Sequence, residues 1–180
     1  HSPNRITAWT FTSKLRQRLR AHREGTHDGS VDVLITGCEV SLWIGEQFAA
    51  DLQLVYPRLR VEVLSSNKLL GQLGQAMPIP QPGFRFNAAT HNFDRTIVLV
   101  LSHSGGTYAP LACCSLLTGY TSNIFVVTSE LDTQAARAVR SGTASTSGAS
   151  PAESDPMLSL DSQFVFSTHA GLRPAEACSL

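Results

Sequence analysis

Apolar residues along this chain fall into two alternating kinds of run. The first kind is short, dense and rich in β-branched residues: 31–36, 60–64, 96–101, 124–128 and 163–167. Such runs predict strands buried on both faces. The second kind is longer, with apolar residues three or four apart, and predicts helices over 6–24, 41–56, 65–73, 108–118 and 131–140. In the first helix Phe11, Leu15 and Leu19 share one face at four-residue spacing. In the second, Leu42, Phe48, Ala49, Leu52 and Val55 recur at helical spacing, with Ser41 as the expected N-cap and Pro57 as the stop. Pro110 is tolerated in the first turn of the fourth helix.

Strands alternating with helices demand parallel pairing through right-handed crossovers. The expected architecture is α/β: a three-layer αβα sandwich around a five-stranded parallel sheet of order 2-1-3-4-5, flavodoxin-like. Run 96–101 is the expected central strand, with Leu99 and Val126 nearly inaccessible to water. Residues 1–30 form an N-terminal amphipathic helix and connector, and 31–180 form the main domain. Two stretches break the rhythm. Residues 74–94 hold Pro78, Pro80 and Pro82 and predict a long loop near the ligand edge or a partner surface. Residues 141–155, rich in Ser, Thr, Gly, Ala and Pro, predict a flexible segment.

Composition narrows the class. The chain has 180 residues, enough for a hydrophobic core without metal or disulfide staples. Fourteen basic residues balance fourteen acidic ones, so no global charge draws it to nucleic acid or an anionic membrane. The basic run Lys14, Arg16, Arg18, Arg20 and Arg23 is expected to be a solvated helix face. Cys38, Cys113, Cys114 and Cys178 show no CxxC spacing, so they are expected to be reduced thiols of a cytoplasmic protein. No run reaches the ~18 apolar residues of a membrane span. The start at His1 and the end at Leu180 suggest a fragment of a longer protein.

The chemistry is expected beyond the carboxyl ends of the strands, where open parallel sheets bind ligands. Two turns stand there: 37–41 after the first strand and Ser102-His103-Ser104-Gly105-Gly106-Thr107 after the central one. The second suits an anion. Its glycines permit close backbone approach, and the helix that follows offers unpaired N–H groups and the positive end of its dipole. Ser102, Ser104 and Thr107 add hydroxyls without charge, and His103 adds a ring donor. No lysine follows, so the turn is not a P-loop. The plain alternative is a polar turn that only caps a helix.

Residues 98–107 resemble the SxSGxT signature of the SIS (sugar isomerase) family. Residues 32–41 resemble that family's first strand and glycine/serine turn, 125–129 its fourth strand, and 166–171 the segment before its closing helices. The resemblance implies a dimeric, phosphosugar-binding domain. Some members isomerise ketose and aldose phosphates, and others sense them for a linked domain. It implies that Ser102, Ser104 and Thr107 hold the phosphate, with Ser41 from the first turn and Gly105 in the backbone cradle. His103 occupies a slot often filled by glutamine. There are departures: Glu39 stands in place of a small residue, Gly106 in place of a glutamate, and Arg173 and Cys178 in place of a glutamate and a serine.

No catalytic acid or base is evident, and nothing calls for a cofactor or a metal. His22, His27, His91 and His169 are scattered and are expected to be surface or loop residues. Glu46 and Asp51 are expected to be solvated, and Trp9 and Trp43 to be packing residues. The leading expectation is a regulatory or scaffolding domain that binds a phosphorylated sugar, as a homodimer, without nucleic acid or membrane contact. The alternatives are an isomerase completed by further sequence or a partner subunit, and a structural dimerisation module without ligand. A nucleotide-binding fold of like topology lacks its GxGxxG here.

Overall fold

The computed structural model describes residues 3–74, 86–147 and 164–170. Its elements in order are α1 (Pro3–Glu24), β1 (Val33–Gly37), α2 (Val40–Val55), β2 (Val61–Ser65), α3 (Ser66–Leu73), β3 (Ile97–Leu101), α4 (Tyr108–Leu117), β4 (Ile124–Thr128), α5 (Gln134–Ser147) and β5 (Val165–Ser167). All strand pairs are parallel, in the order β2-β1-β3-β4-β5. This is the expected sheet. Its centre is dry, with every residue of β1 and β3 buried. Leu99 is 4% and Val126 0% exposed. Fully apolar strands can sit only there, because both faces of a parallel sheet are covered.

Helices α3, α4 and α5 pack side by side along one face. There Thr36 of β1 meets Ser66 of α3, hydroxyl to hydroxyl, at 3.0 Å. On the other face lie α1 and α2. Helix α2 corrects the expected pattern. The residues it buries are Ser41, Gly45, Ala49 and Leu52, while Trp43, Phe48, Leu54 and Val55 are exposed. Close approach at the middle of the helix is the reason: a Cβ on Gly45 would lie 2.8 Å from Ile35 Cγ2, so no side chain fits at that point. Trp9 and Trp43, expected to be packed, are 69% and 66% exposed.

The apolar face of α1 docks on its own sheet. Phe11 meets the ring of Phe125 edge-on at 5.3 Å and that of Phe166 at 6.2 Å. At the start of the helix, the Thr7 hydroxyl donates to Val165 O at 2.9 Å, and Asn4 exchanges two bonds with the Ser167 backbone. The short β5 is thus held by β4 on one side and by α1 above it.

The basic run of α1 is not uniformly solvated. Arg18 is only 4% exposed, and its Nε donates to Asp32 Oδ1 at 2.5 Å. Asp32, 0% exposed, also accepts from His22 Nε2 at 2.7 Å, His27 Nε2 at 2.9 Å and the Arg60 N–H at 2.8 Å. His22 and His27 stack at 3.8 Å. These two histidines were expected to be scattered surface residues; folding gathers them on one carboxylate. Four donors satisfy a charge that burial would otherwise penalise. His91 is half-buried, its ring between Phe86 and Phe93. His169 is exposed.

Segment 74–94 lies mostly outside the described residues, but 86–94 is anchored away from the expected ligand edge. Ala88 N–H donates to Gln72 Oε1 at the end of α3, and His91 meets Thr96 Oγ1 at the start of β3. Both anchors stand at the amino edge of the sheet. Of the stretch expected to be flexible, 141–147 continues α5 as helix, and 148–155 lies outside the described residues.

Burial pushes the Asp32 carboxyl up, but its bonds from Arg60 N–H, His22, Arg18 and His27 outweigh this and hold it below the usual 3.8. A carboxyl depressed in the folded state contributes stability above its unfolded pKa, and that contribution is lost as pH falls through the lower folded value. In urea unfolding, Asp32→Asn should cost about 3–5 kcal/mol at neutral pH, because the buried Arg18 loses its closest anion and keeps only Asp28, at 3.3 Å. The gap between variant and wild type should close below about pH 4. Equal midpoints at neutral pH would disprove the clamp.

Candidate functional site

Strand order reverses between β1 and β3, since β1 connects onward to β2 on one side and β3 to β4 on the other. Gly37 pairs with Leu101 there, so the turns after the two strands are neighbours. The approach is tight: a Cβ on Gly37 would lie 3.1 Å from Leu101 O, Leu42 N and Ser41 C.

The turn 102–107 is braced by its own hydroxyls and by the next strand. Gly105 N–H donates to Ser102 Oγ and Gly106 N–H to Ser104 Oγ, each at 3.2 Å. These two N–H groups are thus satisfied inside the turn. The hydroxyls of Ser104 and Thr107 lie 3.3 Å apart. Thr107 occupies the N-cap of α4 without a side-chain bond to the first helical turn. The first turn of α4, in which Pro110 has no N–H, therefore receives no side-chain cap, and two adjacent hydroxyls lie beside it.

From the β4–α5 side, the His103 carbonyl accepts from Ser129 N–H at 2.9 Å and from the Thr128 hydroxyl at 3.1 Å. Gly105 O accepts from Ala135 N–H at 2.8 Å. Gly105 has φ +60, and a Cβ there would lie 2.4 Å from Thr133 Cβ and Oγ1. Only glycine meets both demands.

Ser41, expected to be the N-cap of α2, lies instead within its first turn and is 5% exposed. Glu39 holds the N-cap position with φ 49, and its carbonyl accepts from Leu42 and Trp43 N–H. The sharp turn at Glu39 starts the helix two residues earlier than a cap at Ser41 would. No hydrogen bond joins the Ser41 side chain to turn 102–107 among the described residues. The Glu39 side chain is exposed to water. Arg173 and Cys178 lie outside the described residues.

Ser102 and His103 are buried, Ser104 is half-buried, and Gly106 and Thr107 are exposed. Among the described residues, three buried side-chain polar atoms lack a hydrogen-bond partner: His103 Nδ1, His103 Nε2 and Ser129 Oγ. All three belong to the carboxyl ends of β3 and β4. Ser129 was missed from the sequence, as was Thr133, which packs under Gly105. Thr133 had a legible signal. Its Oγ1 accepts from Ala136 N–H at 3.3 Å, so it caps α5, which begins at Gln134 rather than at the expected 131.

Two other groupings were tested for chemistry. Burial pushes the Cys113 and Cys114 thiols up to about 12, so they are inert packing groups at neutral pH. His22, His27 and Asp32 place ligand atoms within 4.8 Å of one another, a spacing compatible with a metal. His27 opposes that use. Its Nδ1 accepts from Gly29 N–H at 3.0 Å, so Nε2 carries the proton and offers no lone pair. Arg18 Nη2 also lies 2.8 Å from that nitrogen, a cation where a metal would stand. The cluster is an ion-pair clamp between α1 and β1, at the sheet edge opposite turn 102–107.

No protein-family model matches the chain. No curated protein matches it either. Among solved structures, a proposed phosphosugar isomerase from Silicibacter pomeroyi DSS-3 is similar, with a TM-score of 0.52 over 76% of this chain at 13% identity. The chain spans only about a third (33%) of that protein's length. The likeness is one of fold: this chain has a sugar-isomerase-like α/β fold. No helix among the described residues is long and apolar enough to cross a membrane.

The turn's geometry makes one substitution informative. Gly105→Ala should lower stability by about 1–3 kcal/mol, from positive φ and the clash with Thr133 combined. Gly106→Ala should cost less than about 1 kcal/mol, since an added Cβ there meets nothing nearer than Gln134 Oε1 at 3.7 Å. Denaturant midpoints compare the two, and equal losses would contradict the role given to Gly105.

Proposed function

We propose that this chain is a phosphosugar-binding domain of the SIS type, regulatory or scaffolding within a larger protein. One observation carries the reading. At the switch point of a parallel sheet, a Ser/Gly/Thr turn gives its carbonyls to the next strand and leaves hydroxyls and helix N–H groups for an anion. The sugar-isomerase-like fold supports it. In this reading Ser104 and Thr107 hold the phosphate directly. Ser102 shapes the turn, Gly105 lets the backbone approach, and His103 and Ser41 lie beneath. The exposed Glu39 leaves the anion's surroundings for water.

The reading also implies a second copy as partner. The apolar face of α1 is used internally, so a dimer has to form through another surface. The exposed Trp43, Leu54 and Val55 of α2 offer one. Sedimentation at high micromolar concentration should show a dimer; a strict monomer would remove the homodimer from the proposal.

Titration calorimetry with a panel of pentose and hexose phosphates tests the site. The wild type should bind at least one of them. Ser104→Ala should weaken binding about ten- to a hundredfold, the loss of roughly 1.5–3 kcal/mol for a donor to a charged oxygen. Glu39→Gly should change affinity little, since a solvated charge acts weakly. If no sugar phosphate binds at millimolar concentration, the ligand-free structural reading replaces this one.

A further inference from the structure

The turn contains one ionisable side chain, and it is the buried one. Turn 102–107 has no lysine or arginine. Its hydroxyls and N–H groups offer partial charges only, whereas a phosphate monoester brings close to two full negative charges at neutral pH. His103 sits in the middle of the turn, 4% exposed, with neither ring nitrogen bonded. Its carbonyl is bonded twice over, so the residue is firmly placed while its ring is not. A buried imidazole with two idle nitrogens is costly to keep, and native interiors rarely do so. Ser129 Oγ, idle and buried at the end of the adjacent strand, shows the same deficit. The orphaned atoms thus lie at the carboxyl ends of β3 and β4, the edge of the sheet where the phosphate reading places its anion.

We infer that His103 couples anion binding to proton uptake. The inference rests on the phosphate-cradle reading of turn 102–107. An anion beside an imidazole favours the charged ring. As the anion enters, the ring's free lone pair takes one proton from solvent, and both nitrogens become donors. No other bond is made or broken, and the proton is returned when the anion leaves. The positive charge that other anion sites draw from lysine or arginine is supplied here only when a proton is available. Affinity therefore falls as pH rises.

Other titratable groups flank the turn. Cys38 and the exposed Glu39 lie on the β1–α2 turn, and the exposed Tyr108 opens α4. On the β4–α5 loop stand Glu130 and Asp132, the latter bonded to Arg137 at 2.7 and 2.8 Å. His169 follows β5 and is exposed. The carboxylates among them carry a fixed charge across the neutral range. The solvent-facing His169 is the one other imidazole at this edge among the described residues, and His169→Gln serves as its control.

The test uses inorganic phosphate and, in parallel, sulfate, which stays a dianion across the neutral range. Calorimetry near pH 8 in two buffers of different ionisation enthalpy should show close to one proton taken up per sulfate bound. Sulfate affinity should drop about tenfold per pH unit on the alkaline side. His103→Gln should bind more weakly at low pH but with a flat pH profile and no proton uptake, while His169→Gln should keep the wild-type profile. Anion binding without proton uptake, or a His103→Gln profile as steep as wild type, overturns the inference and leaves the phosphate cradle standing. Absence of binding for sulfate, phosphate and every sugar phosphate overturns the cradle and the inference together. Should His103→Gln fail to fold, the wild-type proton count in the two buffers decides alone.

Discussion

The turn after β3 is held by its carbonyls, which are tied to the neighbouring strand and helix. His103 O is bonded by Ser129 N–H and the Thr128 hydroxyl, and Gly105 O by Ala135 N–H. A chain turning so sharply must satisfy its acceptors somewhere, because a buried carbonyl without a partner costs as much as a lost hydrogen bond. Here the satisfaction comes from β4 and the start of α5. The turn's conformation is thereby fixed from two sides, by the neighbouring strand and by the Ser102 and Ser104 hydroxyls that accept from Gly105 and Gly106 N–H. Gly105 is the hinge of this arrangement, since its positive φ and its contact with Thr133 admit no side chain.

The two ends of the sheet are built for different tasks. At the amino edge, Asp32 collects Arg18, His22, His27 and the Arg60 backbone, so every polar group has a partner and the cluster locks α1 to β1. At the carboxyl edge, polar groups on His103 and Ser129 remain unpaired. A parallel sheet makes this division natural, because every strand delivers its carboxyl end, and the helix start that follows, to one edge.

Much of the fold was legible because its determinants are local. Five β-branched apolar runs, each followed by a helical period, have few ways to pack, and the observed strand order is the expected one. The candidate turn was legible for the same reason: a Ser/Gly/Thr sequence between strand and helix is a local signal. Helix α2 was misread where the signal was weak. It is apolar nearly all round, so periodicity could not say which face is buried. The choice fell to Gly45 and Ala49 because Ile35 leaves no room for anything larger.

By itself the sequence determined the number of strands, their parallel arrangement and the position of the Ser/Gly/Thr turn. These follow from hydrophobic spacing and turn chemistry within a few residues of each site. Only the tertiary structure decided which polar groups meet and which are left alone. Asp32 and Arg18 are joined across fourteen positions, and Ser129 and His103 across twenty-six. Whether His103 is exposed or buried, bonded or idle, depends on the strand laid against it. Burial and hydrogen bonding are properties of space around an atom, and that space is filled by residues distant in the chain.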